Sequence, residues 1–130
     1  MTPLARMLRP ILALVFAGLS TLAQALTIEP YTAQALTAAQ AAGRPVAVLF
    51  HADWCGTCKQ QDKAFSQLKT EGGLDMVLLV ADYDREKDLR RNLNVRSQST
   101  LVVFRGSVEK TRVGGETDPA KLRAALRTAL

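Results

Sequence analysis

Apolar residues fall into two rhythms along this chain, and the rhythms alternate. Val46-Ala47-Val48-Leu49-Phe50 and Met76 to Ala81 are continuous apolar runs with β-branched members. Short uninterrupted runs of this kind predict strands buried on both faces. Around them the period lengthens to that of a helix. Ala35, Leu36, Ala39 and Ala42 share a helical spacing within Thr32–Ala42, with Thr32 placed as N-cap and Gly43 and Pro45 beyond the end. Ala64, Phe65 and Leu68 recur in the same way among Lys, Gln and Asp from Cys58 to Leu68, and Gly72-Gly73 ends the pattern. Asp84 to Asn94 predicts a charged amphipathic helix with Leu89 and Leu93 inward.

The flanks complete the set. Leu26-Thr27-Ile28 predicts a short strand stopped by Pro30. Thr100 to Phe104 and Val108 to Val113 flank Arg105-Gly106-Ser107, a spacing that suits an antiparallel hairpin. Asp118-Pro119 opens a last helix, with Asp as N-cap and Pro at the first helical position. Strand and helix alternate, which predicts a single α/β domain with a parallel sheet core.

The first 25 residues stand apart. Arg6 and Arg9 precede an uncharged stretch from Ile11 to Ala23, then Ala23-Gln24-Ala25. That order predicts a secretory signal peptide over 1–25, cleaved after Ala25, with a domain over 26–130 and a periplasmic location. An uncleaved anchor is the alternative, and the only membrane contact expected. The stretch is shorter than the roughly 20 apolar residues that a span needs. Without the leader the net charge of +5 falls to +3, fifteen basic residues against twelve acidic. That balance is too weak to predict a nucleic-acid partner. Arg90-Arg91 and Lys121 with Arg123 fall on helices and are expected to be solvated faces.

Only two cysteines occur, Cys55 and Cys58, in Asp53-Trp54-Cys55-Gly56-Thr57-Cys58. A bridge between residues three apart closes so short a loop that it adds little stability. At a helix N-terminus, by contrast, unpaired backbone N–H groups favour a thiolate at Cys55, the form that attacks disulfides. The spacing therefore favours redox work. A metal-binding alternative uses Cys55 and Cys58 with His51 or Ser99 for copper, zinc or an iron–sulfur cluster, and needs a dimer to complete the ligands. On the redox reading no metal or other cofactor is called for, and a monomer is expected.

Ala52-Asp53-Trp54-Cys55-Gly56-Thr57-Cys58-Lys59 resembles the active site of the thioredoxin family, and the order of elements agrees over residues 26–130. Within it, the stretch around the cysteines is most similar to the C-terminal domain of the membrane thiol:disulfide interchange protein. The resemblance implies a thioredoxin-like fold, a mixed sheet of about five strands with helices on both faces. It also implies thiol-disulfide oxidoreductase activity, with Cys55 attacking and Cys58 resolving. Partners would be protein disulfides and an upstream thiol donor, which the second likeness extends to a membrane-bound one. Gly56-Thr57 supplies no histidine cation, which leans towards a disulfide reductase.

Val113-Gly114-Gly115 matches the family's Val-Gly beside the site, and Asn94 to Thr100 its cis-proline loop, with Gln98, Ser99 and Thr100 facing substrate. Two positions depart from the pattern. Leu49 stands where the family has a buried acid, so Asp62, four residues after Cys58, is expected either to take over the tuning or to be a solvated helix aspartate. Ser99 replaces the proline, so the Gln98-Ser99 bond is either trans or a strained cis. His51 stands where the family has an aromatic. It is either a packed ring or a proton relay, since imidazole titrates near neutrality. Trp54 is expected to shield the nucleophile and touch partners rather than fill the core.

Overall fold

A computed structural model describes residues 25–130. The predicted leader, apart from Ala25, falls on residues outside that range. The elements run β1 (Thr27–Pro30), α1 (Ala33–Ala41), β2 (Pro45–His51), α2 (Gly56–Glu71), β3 (Val77–Asp82), α3 (Lys87–Asn92), β4 (Thr100–Arg105), β5 (Val108–Gly114) and α4 (Pro119–Arg127). They build one five-stranded mixed sheet in the order β1-β3-β2-β4-β5. The first three strands in that order are parallel, and β4 and β5 run antiparallel.

Strand alternation divides the core in two. Ala47 and Leu49 of β2 turn to one face with Leu78, Leu101 and Val103, where Phe65 and Leu68 of α2 and Leu122 and Leu126 of α4 cover them. Val46, Val48 and Phe50 turn to the other, under Leu36 of α1 and Leu89 of α3. Both faces of β2 are thus dry, which is why its sequence is continuously apolar rather than alternating. Each fully buried Leu or Phe of this set contributes about 1.5–3 kcal/mol relative to an exposed one.

Element boundaries differ from the sequence expectations for identifiable reasons. β1 ends at Pro30 but takes the proline in as its last residue. β1 is an edge strand whose N–H groups at Thr27 and neighbouring Tyr31 reach Met76 O, just before β3, and Val80 O on it, so the missing Pro30 N–H falls on the open edge. α2 begins at Gly56 and extends past Leu68 to Glu71, because Cys55 caps it and polar residues carry no period before Gly72, at φ +73°. α3 is shorter than 84–94. The Asp82 carboxylate accepts the Asp84 and Arg85 N–H groups at 2.9 and 3.1 Å and holds those residues in a turn. The hairpin turn is tighter than expected, Gly106-Ser107 alone, with Gly106 at φ +57°. Beyond it Val103 pairs with Thr111 but Phe104 with Glu109, leaving Lys110 as a bulge.

The basic helix residues are not merely solvated. The Arg90 guanidinium stacks 4.0 Å from the Tyr83 ring centre, and Arg123 ties α4 to α2 through Gly72 O and the Glu71 carboxylate. No helix among the described residues is long and apolar enough to cross a membrane.

Candidate active site

The site forms where β2 ends. Ala52 to Cys55 turn the chain from β2 into α2, and Cys55 is the N-cap, its Sγ accepting the Cys58 N–H at 3.1 Å. One of the helix's unpaired donors is thereby spent on the sulfur. Both cysteines are free thiols and both are buried, packed with Ala52 and the Tyr83 ring.

Across from them, Ser99 precedes β4. Its N–H donates to Phe50 O at 2.8 Å, which pins the loop to the end of β2. Its hydroxyl stands 3.1 Å from Cys55 Sγ and 3.1 Å from Cys58 Sγ. The Gln98-Ser99 bond is trans, and the strain sits instead in Ser99's own backbone, at φ +63°. Such a left-handed conformation disfavours a residue with a Cβ by about 1–2 kcal/mol. It persists because three hydrogen bonds hold the main chain of Ser99: the one to Phe50, and two on its carbonyl from Gly115 N–H and Gln61 Nε2, each at 3.0 Å.

The two thiols ionise unequally. Burial pushes the Cys55 thiol up, but hydrogen bonds from the Cys58 thiol, the Ser99 hydroxyl and the Cys58 and Thr57 N–H groups outweigh it and hold Cys55 below the ordinary thiol range. Cys58 moves the other way. Burial comes first, and its hydrogen bond to Cys55 and the negative charge there add to it, against smaller help from Ser99 and the Ala52 backbone. A thiolate at Cys55 beside a protonated Cys58 is the arrangement that disulfide attack needs.

The remaining expected residues divide. His51 Nε2 meets Asp62 Oδ2 at 3.0 Å, with Asp53 Oδ1 3.9 Å from the other ring nitrogen. Asp62 is the exposed helix aspartate of the second alternative rather than a partner of Cys58, and its contact is the imidazole. Trp54 is 62% exposed and donates Nε1–H to Asp84 at 2.8 Å, outside the core. In the loop only Ser99 meets the sulfurs. Gln98 is half-buried, and Thr100 turns its hydroxyl to Ser97 O at 2.8 Å. Among the described residues no three His, Cys, Asp or Glu side chains gather as a metal site, so the metal alternative finds no third ligand of those types. Two neighbours went unnoticed in the sequence, Tyr83 and the fully buried Gln61. Gln61 lies three residues after Cys58 on the helix face that holds Ala64, Phe65 and Leu68, a buried stripe in which a polar side chain is the signal.

The thioredoxin family model matches residues 27–128, nearly the whole described chain. The chain belongs to the thioredoxin family. Among characterised relatives, a thioredoxin of Mycobacterium tuberculosis is 34% identical over 75% of this chain and 84% of its own length. The thiol:disulfide interchange protein DsbD of Ralstonia nicotianae is 35% identical over 74% of this chain, an alignment that takes in only 18% of that longer protein. Among solved structures, Trxlp of Edwardsiella tarda superposes with a TM-score of 0.72 at 35% identity, covering 77% of this chain and 98% of that one.

Family membership makes this chain a thiol-disulfide oxidoreductase working through Cys55 and Cys58. When such a pair acts as a reductant, the Cys55 thiolate attacks one sulfur of a disulfide and expels the other as a thiolate. Cys58 then gives up its proton and attacks Cys55 Sγ, so the partner leaves as a dithiol and the enzyme as a disulfide. In that direction two electrons pass from enzyme to partner, and the same steps reversed oxidise a partner dithiol. Within this thioredoxin-family site the proline ring of the family pattern is replaced by a hydroxyl that touches both reacting sulfurs.

Proposed function

We propose that this chain reduces protein disulfides in the bacterial periplasm and is recharged by an upstream thiol donor. The observation that carries the reading is the unequal pair of thiols, Cys55 held low and Cys58 held high, which primes the dithiol to attack. The Gly56-Thr57 dipeptide supports the reducing direction, because it adds no cation of its own to stabilise the thiolate as a strong oxidant would require. The N-terminal arginines, apolar run and Ala23-Gln24-Ala25 support export. The likeness to a thiol:disulfide interchange protein supports thiol exchange with partners.

In this reading the exposed Trp54, held by Asp84, forms the rim on which a partner docks. His51, oriented by Asp62, carries protons between solvent and the buried pair.

The test is a trap. Cys58→Ser, expressed with its own leader in a bacterial host, leaves Cys55 able to attack but not to be released. The expected harvest is a set of folded, disulfide-bearing proteins plus one donor, all in the periplasmic fraction, and none with Cys55→Ser. Trapping chiefly nascent secreted chains that lack their first disulfide contradicts the reducing direction. Protein confined to the cytoplasmic fraction contradicts the location.

A further inference from the structure

Gln61 is fully buried, and its amide nitrogen donates to two main-chain carbonyls, Ser99 O and Glu116 O, each at 3.0 Å. Since both partners are acceptors, only the nitrogen can face them, which fixes the orientation of the amide. Its own oxygen, Oε1, has no hydrogen-bond partner. An unpaired buried oxygen destabilises a fold, and an apolar side chain of similar size avoids that penalty among Ala64, Phe65 and Leu68. The two donated bonds offset that penalty, so the net contribution of the amide to stability is small. What the amide does achieve is a clamp. It joins the Ser99 loop to the loop after β5 and engages the carbonyl of the one buried residue, among the described residues, held at positive φ without being glycine.

We propose that Gln61 is a positioning residue for thiol exchange, holding Ser99 in its left-handed conformation so that the hydroxyl bridges Cys55 and Cys58 in the reduced enzyme. With Cys55 as thiolate its sulfur only accepts, so the Ser99 O–H donates to it, and Cys58 Sγ lies 3.1 Å from the same oxygen. Oxidation removes both partners. The Cys58 proton is lost, the two sulfurs bond, two electrons pass to the partner disulfide, and Cys55 Sγ becomes a neutral, weak acceptor. The bridge thus stabilises the dithiol over the disulfide and the thiolate over the thiol. It acts on the exchange chemistry itself and holds for either working direction of the enzyme.

The readouts are the pH dependence of Cys55 alkylation by iodoacetamide and the equilibrium of the full chain with glutathione. Gln61→Met is expected to move the alkylation profile to higher pH. It is also expected to shift the glutathione equilibrium about three- to tenfold towards the disulfide, roughly 15 to 30 mV more negative in potential. Ser99→Gly keeps a residue that adopts φ +63° freely and removes the hydroxyl, so it shifts both readouts the same way. In the Ser99→Gly background Gln61→Met is expected to add nothing, the signature of one residue acting through the other. The proposal is overturned if Gln61→Met lowers the melting temperature but leaves both readouts in place, or if its shift survives in full without the hydroxyl. Should Gln61→Met fail to fold, Ser99→Gly still decides, since an unchanged alkylation profile there removes the bridge from the chemistry.

Discussion

Replacing Ser99 by proline, the residue of the family pattern, is expected to damage this protein. The ring locks φ near −65°, whereas Ser99 stands at +63°, and it removes the N–H that donates to Phe50 O at 2.8 Å. Leaving that buried carbonyl unpaired costs about 1–3 kcal/mol. Turning the backbone through so large an angle also breaks the Gly115 and Gln61 bonds to the Ser99 carbonyl, about 1 kcal/mol each. Relief of the left-handed strain returns about 1–2 kcal/mol. The net loss is about 3 kcal/mol, or roughly 15 °C in melting temperature for a domain of this size. Urea denaturation of the reduced protein gives the first figure and calorimetry the second, with the change in midpoint at constant slope as the criterion. A Ser99→Pro protein as stable as the parent would refute the reasoning, because it would show that the surroundings accept φ near −65° and do not enforce the left-handed loop.

Reduced-protein stability should carry the mark of Cys55. Its pKa is lowered in the fold, so its contribution is present above the unfolded thiol pKa and lost as pH falls through the folded one; urea midpoints are expected to rise with pH across that window, and a flat profile equal to that of Cys55→Ser counts against a stabilised thiolate. Above the ordinary thiol value the raised Cys58 acts in the opposite sense, its contribution being lost as pH rises through its folded pKa, and Cys58→Ser should remove that decline. His51→Phe keeps a ring but ends the contact with Asp62, so a relay predicts a pH–rate profile of changed shape; an unchanged profile leaves His51 as packing alone. Trp54→Ala, at a side chain 62% exposed, should change stability by no more than about 0.5 kcal/mol. It should also lower kcat/KM for a protein disulfide about fivefold while sparing a small disulfide, as for loss of an interface aromatic worth about 1 kcal/mol. Equal loss on both substrates would place Trp54 in the chemistry rather than in docking.

Much of the architecture was legible because it rests on local rules. β2 and β3 announced themselves as uninterrupted apolar runs, and Thr32 and Asp118 cap α1 and α4 through their side chains as their positions suggested. Misjudged boundaries share a cause: a contact from elsewhere in the fold outweighed local propensity. Pro30 is tolerated because β1 is an edge, and α3 starts late because Asp82 captures two backbone N–H groups. The site was legible only in part. Spacing alone pointed to the Cys55 and Cys58 pair, but for Asp62 the helix offset offered only Cys58 or solvent, and the partner it finds is His51, eleven residues back and on a different element.

For this protein the sequence by itself determined the order of strands and helices, the nature of the reacting groups and the helix terminus that favours Cys55 as thiolate, since each depends on residues close along the chain. Tertiary structure alone decided what tunes them. Ser99 lies 44 positions from Cys55 and 41 from Cys58, and Gln61 reaches 38 positions to the Ser99 carbonyl and 55 to that of Glu116. Hydrogen bonds depend on separations of about 3 Å in space and on burial that excludes water. Neither quantity is written along the chain until the sheet brings the end of β2, the start of β4 and the first turns of α2 together.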